Sequence, residues 1–255
     1  TNLLQGKIDL IIGTHSLFQK KIKFKKLGLV IIDEQHKFGV KQRMALAKKG
    51  GKNCDLLLMS ATPIPRTMMM SIYGDMDISK LTEKPKYRKE IITLIKPEKK
   101  TNEIIPLIKK NINMNNQVFW VCPLIEESNK LNYSSAIKKF NSIKKIFPNK
   151  VGLIHGGLTD EEKNSVINRF VNKKINILVS TTVIEVGIDI PNANTIIIEN
   201  ANKFGLSQLH QLRGRVGRGK DQAICILLYK DRLSENAEKR LKILKSTNDG
   251  FKIAE

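Results

Sequence analysis

The sequence predicts an α/β protein in which parallel strands alternate with helices and the chain forms two compact units. Short apolar runs, rich in β-branched residues, alternate with longer amphipathic stretches, which is the pattern of a doubly wound parallel sheet. Most of the short runs are continuously apolar, as in strands that are buried on both faces. The length of 255 residues exceeds what one small core needs and suits two units.

The elements follow from this alternation. Strands are predicted where a short run combines β-branched and other large apolar residues. These runs lie at 9–13, 29–32, 56–59, 91–95, 117–122, 151–154, 175–180, 195–199 and 223–229. Helices are predicted where apolar residues recur at helical spacing, at 41–49, 101–112, 126–147, 160–171 and 231–245.

A charged stretch with a proline, LTEKPKYRK, separates the third predicted strand from the fourth. We therefore place a first unit at 1–81, a linker at 82–90, a second unit at 91–230 and a basic segment at 231–255. The first unit then has three strands, too few for a complete parallel sheet with its phosphate loop, whereas the second has about five. The first unit is therefore expected to be incomplete and to expose apolar strand edges. Because the chain starts at Thr1 and almost within a strand, we expect it to be a piece of a longer protein.

The charge is strongly positive: 45 Lys and Arg oppose 24 Asp and Glu, a formal +21. A chain this basic usually meets a polyanion. The alternative explanation of the positive charge is drift of the genome's base composition, which enriches Lys on protein surfaces, because Lys and Asn are both abundant in this chain. A cluster of Arg213, Arg215 and Arg218 within six positions favours recognition of phosphate, because guanidinium groups bind phosphate with two parallel hydrogen bonds.

Three cysteines lie in or beside apolar runs without CxxC spacing, so reduced thiols are expected rather than a disulfide framework or a zinc site. Trp120 is predicted to be a core residue rather than a base-stacking one. No apolar run approaches the ~20 residues that span a bilayer. A cytoplasmic protein is the expectation.

Two acids follow a predicted strand in VIIDEQH, at 30–36. At the carboxyl edge of a parallel sheet, Asp33 could hold Mg²⁺ and Glu34 could activate a water molecule. Solvated carboxylates in a loop are an equally good interpretation of this motif alone.

Hydroxyl side chains follow two further strands. In MSATPIPRT, at 59–67, Ser60 and Thr62 could bond to a neighbouring acidic motif, or they could be turn and cap residues. In STTVIEVGIDIPNA, at 180–193, the hydroxyls could bind a nucleic-acid backbone and Asp189 could accept a hydrogen bond from a ribose. A tight turn at Gly187 and a solvated acid at Asp189 are the plainer interpretations.

The segment QLHQLRGRVGRGK, at 208–220, combines arginines three positions apart with glycines, which lets guanidinium groups approach an anion without crowding. A nonspecific basic loop explains the charge but not the glycine spacing. GRVGRGK also fits the start of a nucleotide-phosphate loop, but Asp221 stands where Ser or Thr is needed. The chain has no GxxxxGK[ST] motif.

Together these motifs resemble the motor of superfamily-two helicases, with DExH at 33–36, SAT at 60–62 and a QxxGRxGR-like block at 211–218. DEQHKFGVKQR, SATPIPRT, WVCPLIEES, TTVIEVGIDIPNA and FGLSQLHQLRGRVGRG resemble the RecG family of branch-migrating DNA helicases, through most of the chain. The transcription-repair coupling translocases share ATPIPRT and QLRGRVGR. They typically read DEEQ or DEEH at the acidic motif and lack WVCPLIEES.

The resemblance implies two RecA-like lobes with ATP hydrolysed between them. It implies that Asp33 lies on Mg²⁺, that Glu34 activates the hydrolytic water, and that Arg215 and Arg218 are arginine fingers. The remaining implied roles are coupling by His36, Ser60, Thr62 and Gln211, ATP binding by Gly187 and Asp189, and DNA binding by Thr14, Thr181 and Thr182. The segment at 239–255 is similar to the opening of the segment that couples hydrolysis to movement on duplex DNA.

The implied function is remodelling of branched duplex DNA, at forks and Holliday junctions, in recombination and repair. The implied cofactors are ATP and Mg²⁺, and the implied setting is the bacterial nucleoid, without a membrane. A single-strand-binding protein is a further partner implied for the full-length protein. Since the chain has no phosphate loop, we expect it to bind DNA alone but to hydrolyse ATP negligibly.

Three other interpretations are also compatible with the sequence. The chain could be the motor of a transcription-repair coupling translocase. It could be a non-enzymatic basic module that binds nucleic acid, or a remnant of a helicase that no longer works in the cell.

Overall fold

The computed structural model describes residues 2–34, 39, 45–46, 48–60, 77–81, 83, 89–123, 129–181, 190–230, 232–250 and 253. The chain divides into two compact units, Thr1–Ile78 and Ser79–Glu255. Most of the linker predicted at 82–90 lies outside the described residues, and its bounds stay a prediction, as do those of the segment at 231–255.

The first unit contains a parallel pair of strands, β1 (Leu29–Ile32) and β2 (Asp55–Leu58). The first unit also contains a short helix, α1, and two 3-10 turns, and the described residues 45–46 and 48–49 are helical, within the helix predicted at 41–49. Helix α1 and the two turns span Asn2–Gln5, His15–Phe18 and Gly51–Asn53. Val30, Ile32 and Leu46 form its small core.

The predicted burial of these strands on both faces is wrong for the first unit as described. Val30 and Ile32 are buried, but Leu29 and Ile31, which alternate with them, are each 53% exposed. The strand predicted at 9–13 is also wrong, since this segment is not a strand and Ile12 is 89% exposed. A strand persists only where a neighbour pairs with it and side chains cover it, and the described residues cover one face of this sheet. Apolar surface is thus exposed on a sheet face, whereas the exposure of apolar strand edges stays a prediction.

The second unit is built on a sheet of six strands, which correspond to the six apolar runs predicted within 91–230, against the expected total of about five. They are β3 (Ile92–Pro97), β4 (Gln117–Val121), β5 (Val151–Ile154), β6 (Ile177–Ser180), β7 (Ala193–Ile198) and β8 (Ile224–Tyr229). Their order is β3-β8-β7-β4-β6-β5, and every neighbouring pair is parallel. The predicted parallel α/β fold is confirmed here.

Helices connect these strands. They are α2 (Ile105–Asn113), α3 (Asn129–Ile146), α4 (Asp160–Val171), α5 (Leu206–Arg213) and α6 (Glu235–Ser246), with 3-10 turns at Glu98–Ile104 and Ala201–Lys203. The start of α4 shows why a helix begins where it does. The Thr159 hydroxyl accepts from the Glu162 backbone N–H at 3.2 Å, and the Glu162 carboxylate accepts from the Thr159 N–H at 2.8 Å. This reciprocal capping satisfies two backbone donors that the helix leaves unpaired.

Strand β4 lies at the centre of the second unit. Phe119 and Val121 belong to the core on one side of the sheet, and Val118 and Trp120 to the core on the other. Each of the four is at most 1% exposed. The sequence prediction of strands buried on both faces, with Trp120 in the core, is confirmed for this strand. Among the described helices, none combines the length and apolar character that a bilayer span requires.

Candidate functional site

The acidic pair and the first hydroxyl motif lie at the same edge of the first unit's sheet. Asp33 and Glu34 directly follow β1, and Ser60 lies two residues beyond β2. The Met59 N–H donates to the Ile32 carbonyl at 2.8 Å, so the two chain segments leave the sheet side by side. Two carboxylates and a hydroxyl therefore share one carboxyl edge, where open α/β sheets bind ligands.

The backbone at Glu34 is unusual. Its φ of +49° lies in the left-handed region, which residues with a side chain rarely adopt. The Glu34 N–H donates to the Asp33 Oδ1 at 2.8 Å, which supports this turn. Asp33 is exposed, whereas Glu34 is half-buried. Strained backbone of this kind is often found where a side chain must be aimed at a ligand.

Five of the predicted site residues lie outside the described residues: His36, Thr62, Thr182, Gly187 and Asp189. Their roles stay predictions.

The two described threonines of the predicted DNA site differ in exposure. Thr14 is exposed and precedes the 3-10 turn His15–Phe18, whose Leu17 N–H donates to the Thr14 carbonyl at 3.1 Å. Thr181 directly follows β6, is fully buried, and donates its N–H to the Ile154 carbonyl at 3.2 Å. In the arrangement described, a contact between Thr181 and DNA therefore requires the adjacent backbone to move.

The arginine-rich segment begins as helix α5, which the sequence analysis did not predict. The Gly205 N–H donates to the Gln208 side chain at 3.1 Å, which satisfies a donor at the start of the helix. Gln211 is half-buried on α5, Arg215 is half-buried just beyond its end, and Arg218 is exposed.

The glycines of this segment have a packing role that their spacing in the sequence did not indicate. Gly217 has φ +75°, and a Cβ there would lie 3.1 Å from the Cβ of Ala223 and 3.3 Å from Ile91. A Cβ at Gly219 would lie 2.6 Å from the Pro191 carbonyl oxygen. The loop that carries Arg215 and Arg218 thus packs against the amino ends of β3, β7 and β8. A side chain at Gly219 would clash with backbone, and one at Gly217 would be strained by the positive φ.

The Arg213 side chain is buried and bonds with backbone carbonyl oxygens, so it is not available to bind a phosphate in this arrangement. The side chain is 3% exposed, and its guanidinium donates to the carbonyl oxygens of Leu244 at 2.6 Å and Thr247 at 2.9 Å. It also bonds with the His210 ring at 3.1 Å, and burial lowers the pKa of Arg213. The early grouping of Arg213 with the phosphate-binding arginines is therefore not supported, because its donors satisfy the end of α6. Sequence spacing did not signal this role.

A buried polar cluster lies at the carboxyl ends of β4 and β7, and it was not predicted from the sequence. Lys139 Nζ lies 2.6 Å from Glu199 Oε1, and the Trp120 indole N–H donates to the same oxygen at 3.0 Å. The Cys122 sulfur lies 3.7 Å from Glu199 Oε2, and burial, followed by the Glu199 charge, raises the pKa of this thiol. Its position could have been predicted from Glu199, an acid directly after an apolar strand, which is the same pattern that identified Asp33.

We expect Lys139→Met to destabilise the second unit by roughly 3 kcal/mol, because it leaves the Glu199 carboxylate buried without its counter-charge. Glu199 is 5% exposed and Lys139 is 21% exposed. Trp120 is the single tryptophan of the 255-residue chain, so its fluorescence during urea denaturation reports the unfolding of this unit.

The double variant Lys139→Met, Glu199→Gln should recover most of the lost stability, because the amide oxygen still accepts from the indole and no charge is buried. Lys138→Met, at an exposed neighbour on α3, should change stability by less than about 0.5 kcal/mol. Equal effects of Lys138→Met and Lys139→Met would contradict this account.

Two family models match the chain. Residues 1–71 match the DEAD/DEAH box helicase model, and residues 99–220 match the helicase conserved C-terminal domain. The ATP-dependent DNA helicase RecG of Thermotoga maritima is 52% identical over 257 residues, which cover 100% of this chain and 33% of that protein. RecG of Bacillus subtilis is 48% identical and covers 99% of this chain and 37% of that protein. The chain thus spans about a third of the length of these relatives.

Solved structures agree in fold. A structure of RecG bound to a three-way DNA junction superposes with a TM-score of 0.75 at 46% identity, covering 99% of this chain and 32% of that one. Yeast Dbp5 bound to RNA and ADP BeF3 superposes with a TM-score of 0.61 at 18% identity and covers 92% of this chain and 61% of that one. The second likeness concerns the fold alone. The predicted tandem RecA-like fold is confirmed by these helicase neighbours.

Proposed function

The chain belongs to the RecG family of DNA helicases, and from this premise we propose that it is the motor part of an ATP-driven translocase that remodels branched DNA. The full-length protein hydrolyses ATP to move along duplex DNA at forks and Holliday junctions, in recombination and repair. The RecG relatives at 46–52% identity favour this function over that of a transcription-repair coupling motor.

One observation supports the proposal most directly. The acidic pair after β1 and Ser60 after β2 lie side by side at one carboxyl edge, with Glu34 in left-handed backbone. Catalysis of phosphoryl transfer depends on groups that are positioned before the substrate arrives.

The first unit supplies the groups that prepare the attack on ATP. Glu34 accepts a proton from the attacking water, and its half-buried position limits competition from solvent. Asp33 is an exposed carboxylate beside it, and Mg²⁺ is usually held by one or two carboxylates together with substrate phosphates, so the residues present fit this ion. When bound, Mg²⁺ would neutralise charge on the phosphates.

The second unit supplies positive charge for the transferring phosphoryl group through Arg215 and Arg218. In this proposal, Gly187 and Asp189 bind the nucleotide. Four further residues are proposed to couple ATP hydrolysis to movement along DNA: His36, Ser60, Thr62 and Gln211.

DNA binding is proposed to rest mainly on Lys and Arg contacts with phosphates, so that it depends steeply on salt and little on sequence. Thr14, Thr181 and Thr182 contribute hydroxyl contacts to the backbone. A single-strand-binding protein is proposed as a further partner, and the bacterial cytoplasm and nucleoid as the place of action.

The proposal predicts that branched DNA stimulates ATP hydrolysis by the full-length protein. A three-way junction should stimulate more than a linear duplex with the same number of base pairs, measured at equal ionic strength. Product analysis of a labelled junction should show ATP-dependent strand exchange. A full-length protein that binds the junction but shows no DNA-stimulated hydrolysis would refute the proposed activity.

A further inference from the structure

The helix-to-strand turns of the second unit form a basic surface at the amino edge of its sheet, where the strands begin. We call it the amino-edge patch. Its members lie in the last turns of α2, α3 and α4 or just beyond them. They are Lys110, Lys144, Lys145, Lys150, Arg169, Lys173 and Lys174, and all but the half-buried Lys173 are exposed.

The turns that carry this patch are neighbours in space. The N–H groups of Asn176 and Ile177 donate to the Lys150 carbonyl at 2.8 and 2.9 Å, and the Val118 N–H donates to the Asn176 carbonyl at 2.8 Å. The turns before β5, β6 and β4 therefore lie side by side, at strand spacings of about 4.8 Å. The basic residues therefore lie in adjacent turns at one end of the sheet.

The patch is separate from the residues already assigned. Thr181 follows β6 whereas Lys174 precedes it, so the two lie at opposite ends of one strand. The loop with Arg215 and Arg218 packs against the amino ends of β3, β7 and β8, through Gly217 and Gly219. The patch instead occupies the half of that edge formed by β4, β6 and β5.

Drift of composition toward Lys does not explain the distribution of charge. The three turns of the patch, at 110–116, 144–150 and 169–176, contain its seven basic residues and no acid. At the opposite edge, lysines such as Lys99 and Lys203 lie beside acids such as Glu98 and Glu199. Drift toward Lys adds positive charge but does not remove acids from three separate turns. Cations also stabilise helix C-termini, which accounts for Lys144 and Lys145, but Lys150, Lys173 and Lys174 lie outside the helices.

A polar groove of about 520 Å³ runs from the patch along α4. Asn164, Asn168 and Asn172 recur every fourth residue along it, so they lie on one helix face. Ser165, Arg169 and Lys174 complete this lining, with one acid, Glu161, at the far end. Amides, hydroxyls and guanidinium groups are the side chains that bind the sugar-phosphate backbone.

We propose that the amino-edge patch and this groove bind the backbone of a second duplex arm of the branched DNA. This inference rests on the proposed function, since a second arm exists only on a branched substrate. Apart from Glu161, the named residues of this surface are Lys, Arg, Asn and Ser, and base stacking on unpaired strands uses aromatic rings. Its chemistry therefore suits the phosphates of a duplex.

The test uses the full-length protein with the triple variant Lys150→Gln, Arg169→Gln, Lys174→Gln. Its matched control is Lys99→Gln, Lys138→Gln, Lys203→Gln, which removes the same three charges at exposed positions outside the patch. Affinity for a three-way junction, a linear duplex and a single strand is measured without nucleotide, over a series of salt concentrations. Thermal unfolding of both variants checks that they remain folded.

For the junction, we expect the slope of log affinity against log salt to fall in magnitude by about 2 to 3, and affinity near 0.1 M salt to fall at least about tenfold. The control should change little, and linear duplex and single strand should lose less than the junction. A patch variant that matches the control on the junction would overturn the proposal, as would an equal loss on linear duplex or on single strand. Since no nucleotide is present, absence of ATP hydrolysis would count against the proposed motor and not against this surface.

Discussion

Glu34→Gln in the full-length protein is expected to reduce DNA-stimulated ATP turnover by roughly 10²- to 10⁴-fold, the usual contribution of a general base. The amide keeps the size and shape of the side chain but cannot accept a proton from the attacking water. Glu34 is proposed to act on that water and not on phosphates of DNA, so the affinity for duplex DNA should remain within about twofold of the wild type. ATP hydrolysis at saturating junction DNA and DNA affinity are the two measurements.

Asp55→Asn is the matched control for this substitution. Asp55 is an exposed carboxylate at the start of β2, the opposite end of the same sheet, and its loss should leave turnover unchanged. If Glu34→Gln hydrolyses ATP as fast as the control, the acidic pair is a solvated loop feature. The interpretation as a non-enzymatic basic module would then be favoured.

Arg218→Ala and Arg215→Ala are each expected to reduce turnover by about 10³-fold or more, the effect typical of an arginine finger. Each change removes positive charge that stabilises the transferring phosphoryl group, with little effect on the binding of the ground state. The Michaelis constant for ATP should therefore change far less than the turnover number. Single-turnover hydrolysis with excess enzyme separates the chemical step from product release.

Arg232→Ala removes an exposed arginine beyond β8 and serves as the control. Arg215→Lys and Arg218→Lys provide a second comparison, because Lys keeps the positive charge but lacks the forked hydrogen-bond donors of Arg. Loss of DNA affinity as large as the loss of turnover would contradict the finger assignment and would assign these arginines to DNA binding.

Several elements of the fold could be predicted from local pattern. Strand β5 and helix α4 have the bounds expected from the sequence, and α6 begins at Glu235, four residues after the prediction. These elements have strong local signals, such as the Thr159–Glu162 capping pair and the Ser234 cap of α6. Helix α5 was missed because its sequence was interpreted by its arginines and glycines rather than by its apolar residues.

The candidate site divides in the same way. Asp33, Glu34 and Ser60 could be predicted because each comes just after a short apolar run that forms a strand, and parallel strands end at a common edge. The left-handed backbone of Glu34 could not be predicted from the sequence, since it depends on the turn that follows β1.

The sequence by itself determined the parallel α/β fold, the family and the motif residues, because apolar periodicity and motif spacing are properties of near neighbours along the chain. Tertiary structure alone decided which polar groups meet. Glu199 bonds with Trp120, 79 residues away, and Arg213 bonds with Leu244, 31 residues away. The same holds for the lysines of the amino edge, whose separate turns are neighbours because β4, β6 and β5 are adjacent. The physical reason is that strand order determines which distant residues become neighbours of a buried or clustered charge. The spacing of residues along the chain carries no information about strand order.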